Sequence, residues 1–273
     1  MDKLDRLGWA EGLAFSAFGV CVGIRATVSG MLDRILPLLP PGWKKSPRGL
    51  VQRLYSLIGA NGSEGKGVRH LNLLYANNLR LARETDLQAV LEAFRNDHHL
   101  YVAGASPDMT FIHAGVVGWQ RRAVVLPGRS FSGKTTLVRE LLRLGATYYS
   151  DEYALVDERG LIHPFVRPLG IREHGSTVQT DFTPEKLGAS VGVEPLRAGT
   201  VVITEYQAGT RWEANPLSQG QGALELLANS VAIRRLPEKT LLRLLEVAKR
   251  AVFIRGPRGE ASEAAASILN LST

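Results

Sequence analysis

The chain has 273 residues, of which 45% are hydrophobic and 22% are charged, a balance typical of globular proteins and not of disordered or fibrous ones. The formal net charge is +7 at pH 7, but the basic residues are scattered, so we do not expect a nucleic-acid partner. Cys21 is the only cysteine, which excludes a disulfide within the chain. No apolar run is long enough for a membrane span, and the N-terminus does not resemble a secretion signal. We therefore expect a cytoplasmic protein without a membrane partner.

The first part of the sequence predicts a small α+β lobe over residues 1–99. Four segments are expected in it: a strand over 15–24, a helix over 28–39, a loop over 61–67 and a helix over 86–96. Thr85 or Asp86 is the expected N-cap of the last of these helices. Its boundary with the next domain is expected near residue 100.

From residue 100 onward, apolar strand patterns alternate with helical ones. Strands are expected over 100–103, 109–114, 122–126, 147–150, 200–204 and 251–254, with a hairpin over 153–161. Helices are expected over 136–144, 222–231, 237–249 and 260–271. Because alternation and hairpins occur together, the pattern predicts an α/β domain over 100–273 with a mixed β-sheet.

One stretch in this domain fits the phosphate-binding pattern G-x-x-x-x-G-K-[ST] without a mismatch. It reads Gly128-Arg129-Ser130-Phe131-Ser132-Gly133-Lys134-Thr135, and Thr136 follows it. An apolar run precedes it and a helical pattern follows, which is the strand–loop–helix context that a true phosphate loop requires. The alternative is a glycine-rich turn that binds nothing. We therefore predict nucleotide binding by residues 128–136.

The residue types of the motif suit a nucleoside triphosphate with Mg²⁺. The loop amides and the helix N-terminus would face the phosphates. Lys134 would reach the β- and γ-phosphates, and the Thr135 hydroxyl would ligate Mg²⁺. ATP and Mg²⁺ are therefore the expected cofactors.

Phosphoryl transfer also needs a group that orients or deprotonates the acceptor. Asp151 and Glu152 follow a predicted strand and could hold Mg²⁺ or accept the proton; the alternative is a hydrated acidic turn. His113 lies on a strand before the motif and is either an active-site residue or a structural histidine. Arg167 and Arg172 could contact phosphate, or they could be ordinary surface residues. The candidate catalytic residues are Asp151, Glu152, His113 and Lys134, and Thr135 and Asp151 are the candidate metal ligands.

Several segments together resemble the catalytic domain of the bacterial HPr serine kinase/phosphorylase family. They are 111–117 with His113, 124–128 leading into the motif, 150–152 with the acidic pair, and 166–171. The resemblance covers roughly residues 100–270. It implies a P-loop catalytic core in which a carboxylate of the acidic pair is the base and the histidine belongs to the active site. The opening block, with Phe18-Gly19, Gly23-Ile24-Arg25 and 39–43, is similar to divergent members that phosphorylate precursor peptides of natural products such as lasso peptides.

The chain also departs from that family at three positions. Phe165 stands where the family has a metal-binding glutamate, and Pro168 replaces the first glycine of its signature. Glu152 replaces the second aspartate of the acidic pair. These departures argue against a phosphorylase activity and against HPr as the substrate.

The sequence thus predicts an ATP-dependent kinase whose acceptor is a hydroxyl, with a serine of a protein or peptide as the expected partner. One alternative is a small-molecule kinase that acts on free serine, a sugar or a lipid head group. Another is a nucleotide-binding regulatory ATPase that labels no acceptor. A homo-oligomer is compatible with the sequence.

Overall fold

The computed structural model of the protein describes residues 3–47, 49–60, 71–128, 132–172 and 179–272. The chain divides into two compact units, Met1–Pro107 and Asp108–Thr273. The loop expected over 61–67 lies outside the described residues, as do Arg129, Ser130 and Phe131 of the motif. None of the described helices has the length and apolar character needed to cross a membrane.

The first unit combines one mixed sheet with two α-helices in its described part. Its strands and helices, in chain order, are β1 (Glu11–Ala17), β2 (Val20–Ala26), α1 (Met31–Ile35), β3 (Lys44–Lys45), β4 (Arg53–Ile58), β5 (Asn72–Ala76), β6 (Leu79–Glu84) and α2 (Leu87–Ala105). The strands lie in the order β3-β1-β2-β4-β5-β6, in which β2 and β4 are parallel and the other pairs antiparallel.

Two strands predicted within residues 1–107 are wrong, one of them assigned to the domain over 100–273. The expected strand over 15–24 is the hairpin of β1 and β2, which turns at Phe18 and Gly19 with φ values of 49° and 78°. The expected strand over 100–103 is the end of α2, which begins after its N-cap Asp86, whose carboxylate accepts a hydrogen bond from the Gln88 amide at 2.9 Å. Because α2 continues to Ala105, the expected boundary near residue 100 falls inside a helix.

The second unit is an α/β assembly around a larger sheet. Its elements are β7 (Thr110–Trp119), β8 (Arg122–Pro127), α3 (Lys134–Arg143), β9 (Thr147–Ser150), β10 (Tyr153–Val156), β11 (Leu161–His163), β12 (Leu169–Arg172), β13 (Gln179–Phe182), β14 (Leu196–Tyr206), β15 (Asn215–Leu217), α4 (Gln219–Ala228), α5 (Pro237–Ala248), β16 (Val252–Arg258) and α6 (Ala261–Leu271). The helices correspond to those expected from the sequence, with ends that differ by a few residues.

The sheet of the second unit is mixed, which confirms the predicted α/β class. Its strands follow the order β11-β10-β7-β8-β14-β16-β15, with β9 paired to β7. β14 is parallel to both β8 and β16, whereas β7 is antiparallel to β8, β9 and β10. The expected hairpin over 153–161 is formed by β10 and β11.

Alternate residues of the central strands pack into two separate cores, one on each face of this sheet. Val125 belongs to a core with Leu226 of α4 and Leu244 of α5. Its neighbour Val124 belongs to a second core, which also contains residues of α3 and α6. This alternation is what a strand with both faces buried requires. The polar side chains that follow the strands are therefore left at the edge of the sheet.

Candidate functional site

The carboxyl ends of three parallel strands meet at one edge of the sheet. β8 ends at Pro127 and runs into residues 128–135, which we call the glycine loop. β14 lies beside β8 and β16 lies beside β14, both parallel to it, so that Thr204 near the end of β14 and Arg258 at the end of β16 share this edge. In open α/β sheets this is the edge where ligands bind.

The described part of the glycine loop turns directly into a helix. Gly133 has a left-handed conformation, with φ 80° and ψ 17°, and α3 begins at the next residue. A Cβ on Gly133 would lie 2.4 Å from Nη2 of Arg258. The left-handed backbone angle favours glycine here, and a Cβ would also displace the Arg258 guanidinium. The N-terminal end of α3 faces the loop, with the positive end of its dipole at Lys134.

Lys134 folds back across the glycine loop. Its Nζ donates to the Gly128 carbonyl oxygen at 2.8 Å and lies 3.5 Å from Ser132 Oγ. Burial lowers the pKa of Lys134 to about 8, although the Asp151 carboxylate acts in the opposite direction. The ammonium group is thus held within the loop that the sequence assigns to phosphates.

Asp151 and Glu152 lie in a break between β9 and β10. Both strands are antiparallel to β7, with Ser150 opposite Val116 and Tyr153 opposite His113. Ser150 Oγ accepts hydrogen bonds from the amides of Glu152 at 3.1 Å and Tyr153 at 3.0 Å. The serine hydroxyl stabilises the break and turns the two carboxylates out of the strand ladder.

The carboxylate of Asp151 connects two elements of the site. Its Oδ2 accepts from the Thr135 hydroxyl at 3.4 Å, and its Oδ1 lies 3.1 Å from the Tyr148 hydroxyl. The Tyr148 hydroxyl also lies 2.9 Å from the carbonyl oxygen of Arg167, and its single proton serves one acceptor at a time. Burial, and secondly the Glu152 charge, raises the pKa of Asp151 to about 6.

Glu152 is engaged by an arginine. Its Oε2 accepts a hydrogen bond from Nη1 of Arg167, and the two side chains form an ion pair. Both are partly exposed, with 36% of the Glu152 side chain and 21% of the Arg167 side chain accessible. Glu152 is therefore held in an ion pair with Arg167, whereas the carboxylate of Asp151 faces Thr135.

His113 lies one strand away, beside the start of the glycine loop. Its backbone carbonyl accepts from the Gly128 amide at 3.0 Å, and its amide donates to the Asn229 carbonyl at 2.8 Å. Its ring lies 4.9 Å from the ring of Tyr153. Burial, and then the charge of Lys134, lowers the pKa of His113, so the imidazole is neutral at pH 7.

Phe165 and Pro168 occupy different environments. Phe165 is 2% exposed, and its ring meets those of Phe111 and Tyr153 edge-on at 6.1 and 5.6 Å. Pro168 is exposed in the irregular segment before β12. An apolar, ring-packed side chain cannot ligate a metal, so position 165 contributes no ligand.

The described residues hold no cluster of three or more histidine, cysteine, aspartate or glutamate side chains suited to a metal. The arrangement of Thr135 and Asp151 nevertheless fits Mg²⁺, because this ion keeps several waters and takes only one or two protein carboxylates together with substrate phosphates. Of the remaining candidates, Thr136 is exposed on the first turn of α3, and Ser132 and Gly133 are partly buried. The structure therefore brings Lys134, Thr135 and Asp151 together, with His113 and Glu152 at the margin.

Two residues of this region gave no signal in the sequence. Tyr148 belongs to a predicted strand, and its contact with Asp151 appears only in three dimensions. Arg258 comes from the last strand, and its Nη2 donates to the Gly133 carbonyl at 3.0 Å. Neither residue belongs to a short sequence motif, so the spacing of residues along the chain could not predict their place in the site.

Comparisons with known proteins give limited information. No protein-family model matches the chain, and no curated protein matches it. Among solved structures, the Hpr(Ser) kinase/phosphatase from Coxiella burnetii is similar, with 13% sequence identity and a TM-score of 0.31 over 59% of this chain and 92% of that chain. A TM-score this low does not define a common fold.

Proposed function

We propose that this chain is an ATP-dependent kinase that transfers the γ-phosphoryl group to a hydroxyl, with a serine of a protein or peptide as the acceptor. The observation that carries the proposal is the meeting of Lys134, Thr135 and Asp151 at the N-terminal end of α3. Asp151 Oδ2 lies 3.4 Å from Thr135 Oγ1. A cation, a hydroxyl and a carboxylate beside a helix N-terminus are the groups that phosphoryl transfer needs.

Lys134 and the amides of the glycine loop bind the triphosphate in this proposal. Thr135 and Asp151 would hold Mg²⁺, which neutralises charge on the phosphates when it is bound. The Lys134 Nζ, which donates to the Gly128 carbonyl at 2.8 Å, needs only a side-chain rotation to donate to a phosphate oxygen instead.

Asp151 is the group that accepts the proton of the acceptor hydroxyl. Glu152 forms an ion pair with Arg167, which fixes the position of its carboxylate beside Asp151. His113, neutral at pH 7, lies beside Gly128 and helps to place the acceptor.

The acceptor class follows from the resemblance noted in the sequence. This chain has Phe165 at the position where the HPr kinase/phosphorylase family has a metal-binding glutamate. We therefore propose a kinase without phosphorylase activity. A precursor peptide of a natural product is the acceptor that the opening block favours. The peptide experiment below separates this acceptor from free serine, a sugar or a lipid head group.

The test is transfer of labelled phosphate from γ-labelled ATP to the proteins, peptides and small molecules of a native extract. Lys134→Ala and Asp151→Asn should each lower transfer by a hundredfold or more, about the loss seen when one transition-state contact is removed. Lys249→Ala is the matched control, because that lysine is 64% exposed in an i,i+3 pair with Glu246. It should keep wild-type activity.

The outcomes distinguish the candidate functions. A labelled serine peptide supports the proposal, and a labelled free compound would replace it with a small-molecule kinase. Binding of ATP with no labelled acceptor would replace it with a regulatory ATPase. Wild-type turnover in Lys134→Ala or Asp151→Asn would show that the role given to that residue is wrong.

A further inference from the structure

Arg258 places a buried positive charge next to the glycine loop. It is 3% exposed at the end of β16. Nη2 donates to the Gly133 carbonyl and Nη1 to the Gly259 carbonyl, each at 3.0 Å. Both acceptors are neutral, so the two hydrogen bonds orient the guanidinium without neutralising it.

Among the described residues, no carboxylate forms an ion pair with this guanidinium. Arg255, on the same strand, is paired with Glu225, and Arg167 is paired with Glu152. The nearby Glu260 instead accepts a hydrogen bond from the Tyr206 hydroxyl at 3.0 Å. Burial lowers the pKa of Arg258, and the Glu260 charge opposes this only in part, so a closer anion would stabilise the buried cation.

The guanidinium lines the same small recess as the glycine loop. Ser132, Gly133, Lys134, Thr204 and Arg258 are among the residues that form its wall. Two buried polar atoms in this wall, Nε of Arg258 and Oγ1 of Thr204, have no hydrogen-bond partner in the described part of the chain. Buried polar atoms without a partner are unfavourable, and two of them belong to residues that line the recess beside Lys134.

We propose that Arg258 is a second phosphate-binding cation, which contacts the polyphosphate of the nucleotide beside Gly133 of the glycine loop. This inference rests on the proposed function, since it assumes that the glycine loop binds a polyphosphate. The negative charge of the phosphates supplies the close ion-pair partner that Arg258 lacks among the described residues. The guanidinium presents several N–H donors in one plane, which suits phosphate oxygens better than a second ammonium would.

The experiment compares binding of inorganic triphosphate and of ATP to the full chain by calorimetry. Arg258→Met should weaken both ligands by tenfold or more, and by the same factor. Arg258→Lys keeps the positive charge but not the planar guanidinium group, so its affinity for the two ligands should fall by a smaller factor. Arg255→Met is the matched control, because it removes a partly exposed, paired arginine from the same strand. It should bind as the wild type does.

The thermal stability of the ligand-free protein separates a phosphate contact from a structural role. Methionine keeps the apolar stem, and the Gly133 carbonyl still accepts from the Leu137 amide at 3.1 Å. Arg258→Met removes a buried charge but also the donor to the Gly259 carbonyl, two effects of opposite sign, so its ligand-free melting temperature should stay close to that of the wild type while its affinity for triphosphate falls. A structural role predicts the reverse, a lower melting temperature with unchanged affinity.

Three results would overturn the inference. One is unchanged affinity of Arg258→Met for triphosphate. Another is a loss confined to ATP, which would place Arg258 against the nucleoside instead of the phosphates. If the wild type binds neither ligand, the proposed function fails as well, so the failure of the two proposals can be told apart.

Discussion

Burial makes the Asp151 carboxyl group harder to ionise than an exposed aspartate. Its pKa rises from 3.8 to about 6, first because of burial and then because of the adjacent Glu152 charge. Between these two values the folded state binds a proton that the unfolded state has released. Stability therefore falls as the pH rises through this window. A shift of this size corresponds to roughly 2 to 3 kcal/mol of free energy of unfolding at pH 7.

Asp151→Asn removes the titrating group, and the side-chain amide oxygen of the variant can still accept a hydrogen bond from Tyr148. We predict that the variant is more stable than the wild type at pH 7 and that this advantage disappears near pH 4. The measurement is urea unfolding of both proteins across this range. An advantage that is independent of pH would contradict the assigned titration.

Asp157 provides a control of opposite sign. Burial raises its pKa, but hydrogen bonds from His163 and from the amides of Leu161 and Arg159 outweigh burial and lower it. Its contribution to stability is present at neutral pH and is lost as the pH falls through the lowered pKa. Asp157→Asn should therefore be less stable than the wild type at pH 7, in contrast to Asp151→Asn.

The residues of the candidate site differ in how far the sequence could find them. Lys134 and Thr135 belong to one contiguous motif, and Asp151 follows a strand pattern, so local spacing was sufficient. Arg258 reaches Gly133 from a strand more than a hundred residues later, with |i−j| of 125. Only the parallel pairing of β8, β14 and β16 brings it to the loop, and single-sequence patterns contain no information on that pairing.

At the scale of elements, Phe165 anchors the segment before β12. The Phe165 amide donates to the Tyr149 carbonyl at 3.0 Å, and the Phe165 ring packs against Phe111 of β7 and Tyr153 of β10. The aromatic cluster anchors the irregular segment that carries Arg167. Phe165 is thus a packing residue, at a position for which the sequence resemblance implied a metal ligand in the other family.

We predict that Phe165→Glu unfolds or strongly destabilises the second unit, by about 3 kcal/mol or more, because it exchanges ring contacts for a buried carboxylate. Phe165→Leu keeps an apolar side chain and should cost less than about 1.5 kcal/mol. Urea unfolding with and without Mg²⁺ measures both effects. A stable Phe165→Glu protein that gains stability from Mg²⁺ would show that the position accepts a metal ligand after all.

Helices and strands whose apolar residues recur at a regular spacing were predictable from the sequence. Elements whose structure depends on tertiary packing were not. β8 and α3 follow their sequence patterns closely. Residues 100–103 have strand-forming side chains, yet Val102 and Ala103 are buried at the end of α2, where packing overrides local preference. The run over 15–24 contains a single polar side chain, Ser16, which lies before the turn. Nothing in its polarity therefore marks the turn at Phe18, whose φ of 49° is uncommon outside glycine.

At the scale of the whole molecule, each compact unit has its own hydrophobic core. The core of the first unit is formed by residues of β1, β2, β4, β5, α1 and α2. The second unit has the two cores on the faces of its sheet. A unit with a core of its own is expected to unfold cooperatively by itself.

Phe94 tests this expectation because it is 0% exposed at the centre of the first core. Its ring stacks on His98 at 4.3 Å and meets Tyr55 edge-on at 5.1 Å. Phe94→Ala should destabilise the first unit by about 3 to 5 kcal/mol. Hydrogen exchange followed by mass spectrometry should show faster exchange within residues 1–107 and unchanged protection within 108–273.

The reciprocal variant is Phe253→Ala in β16, where the ring is 2% exposed and packs in the core beneath α4 and α5. It should accelerate exchange within residues 108–273 and leave the first unit protected. Because the glycine loop and Asp151 belong to the second unit, Phe253→Ala should also weaken triphosphate binding when its core loosens, whereas Phe94→Ala should not. Faster exchange across the whole chain in either variant would mean that the two units unfold as one.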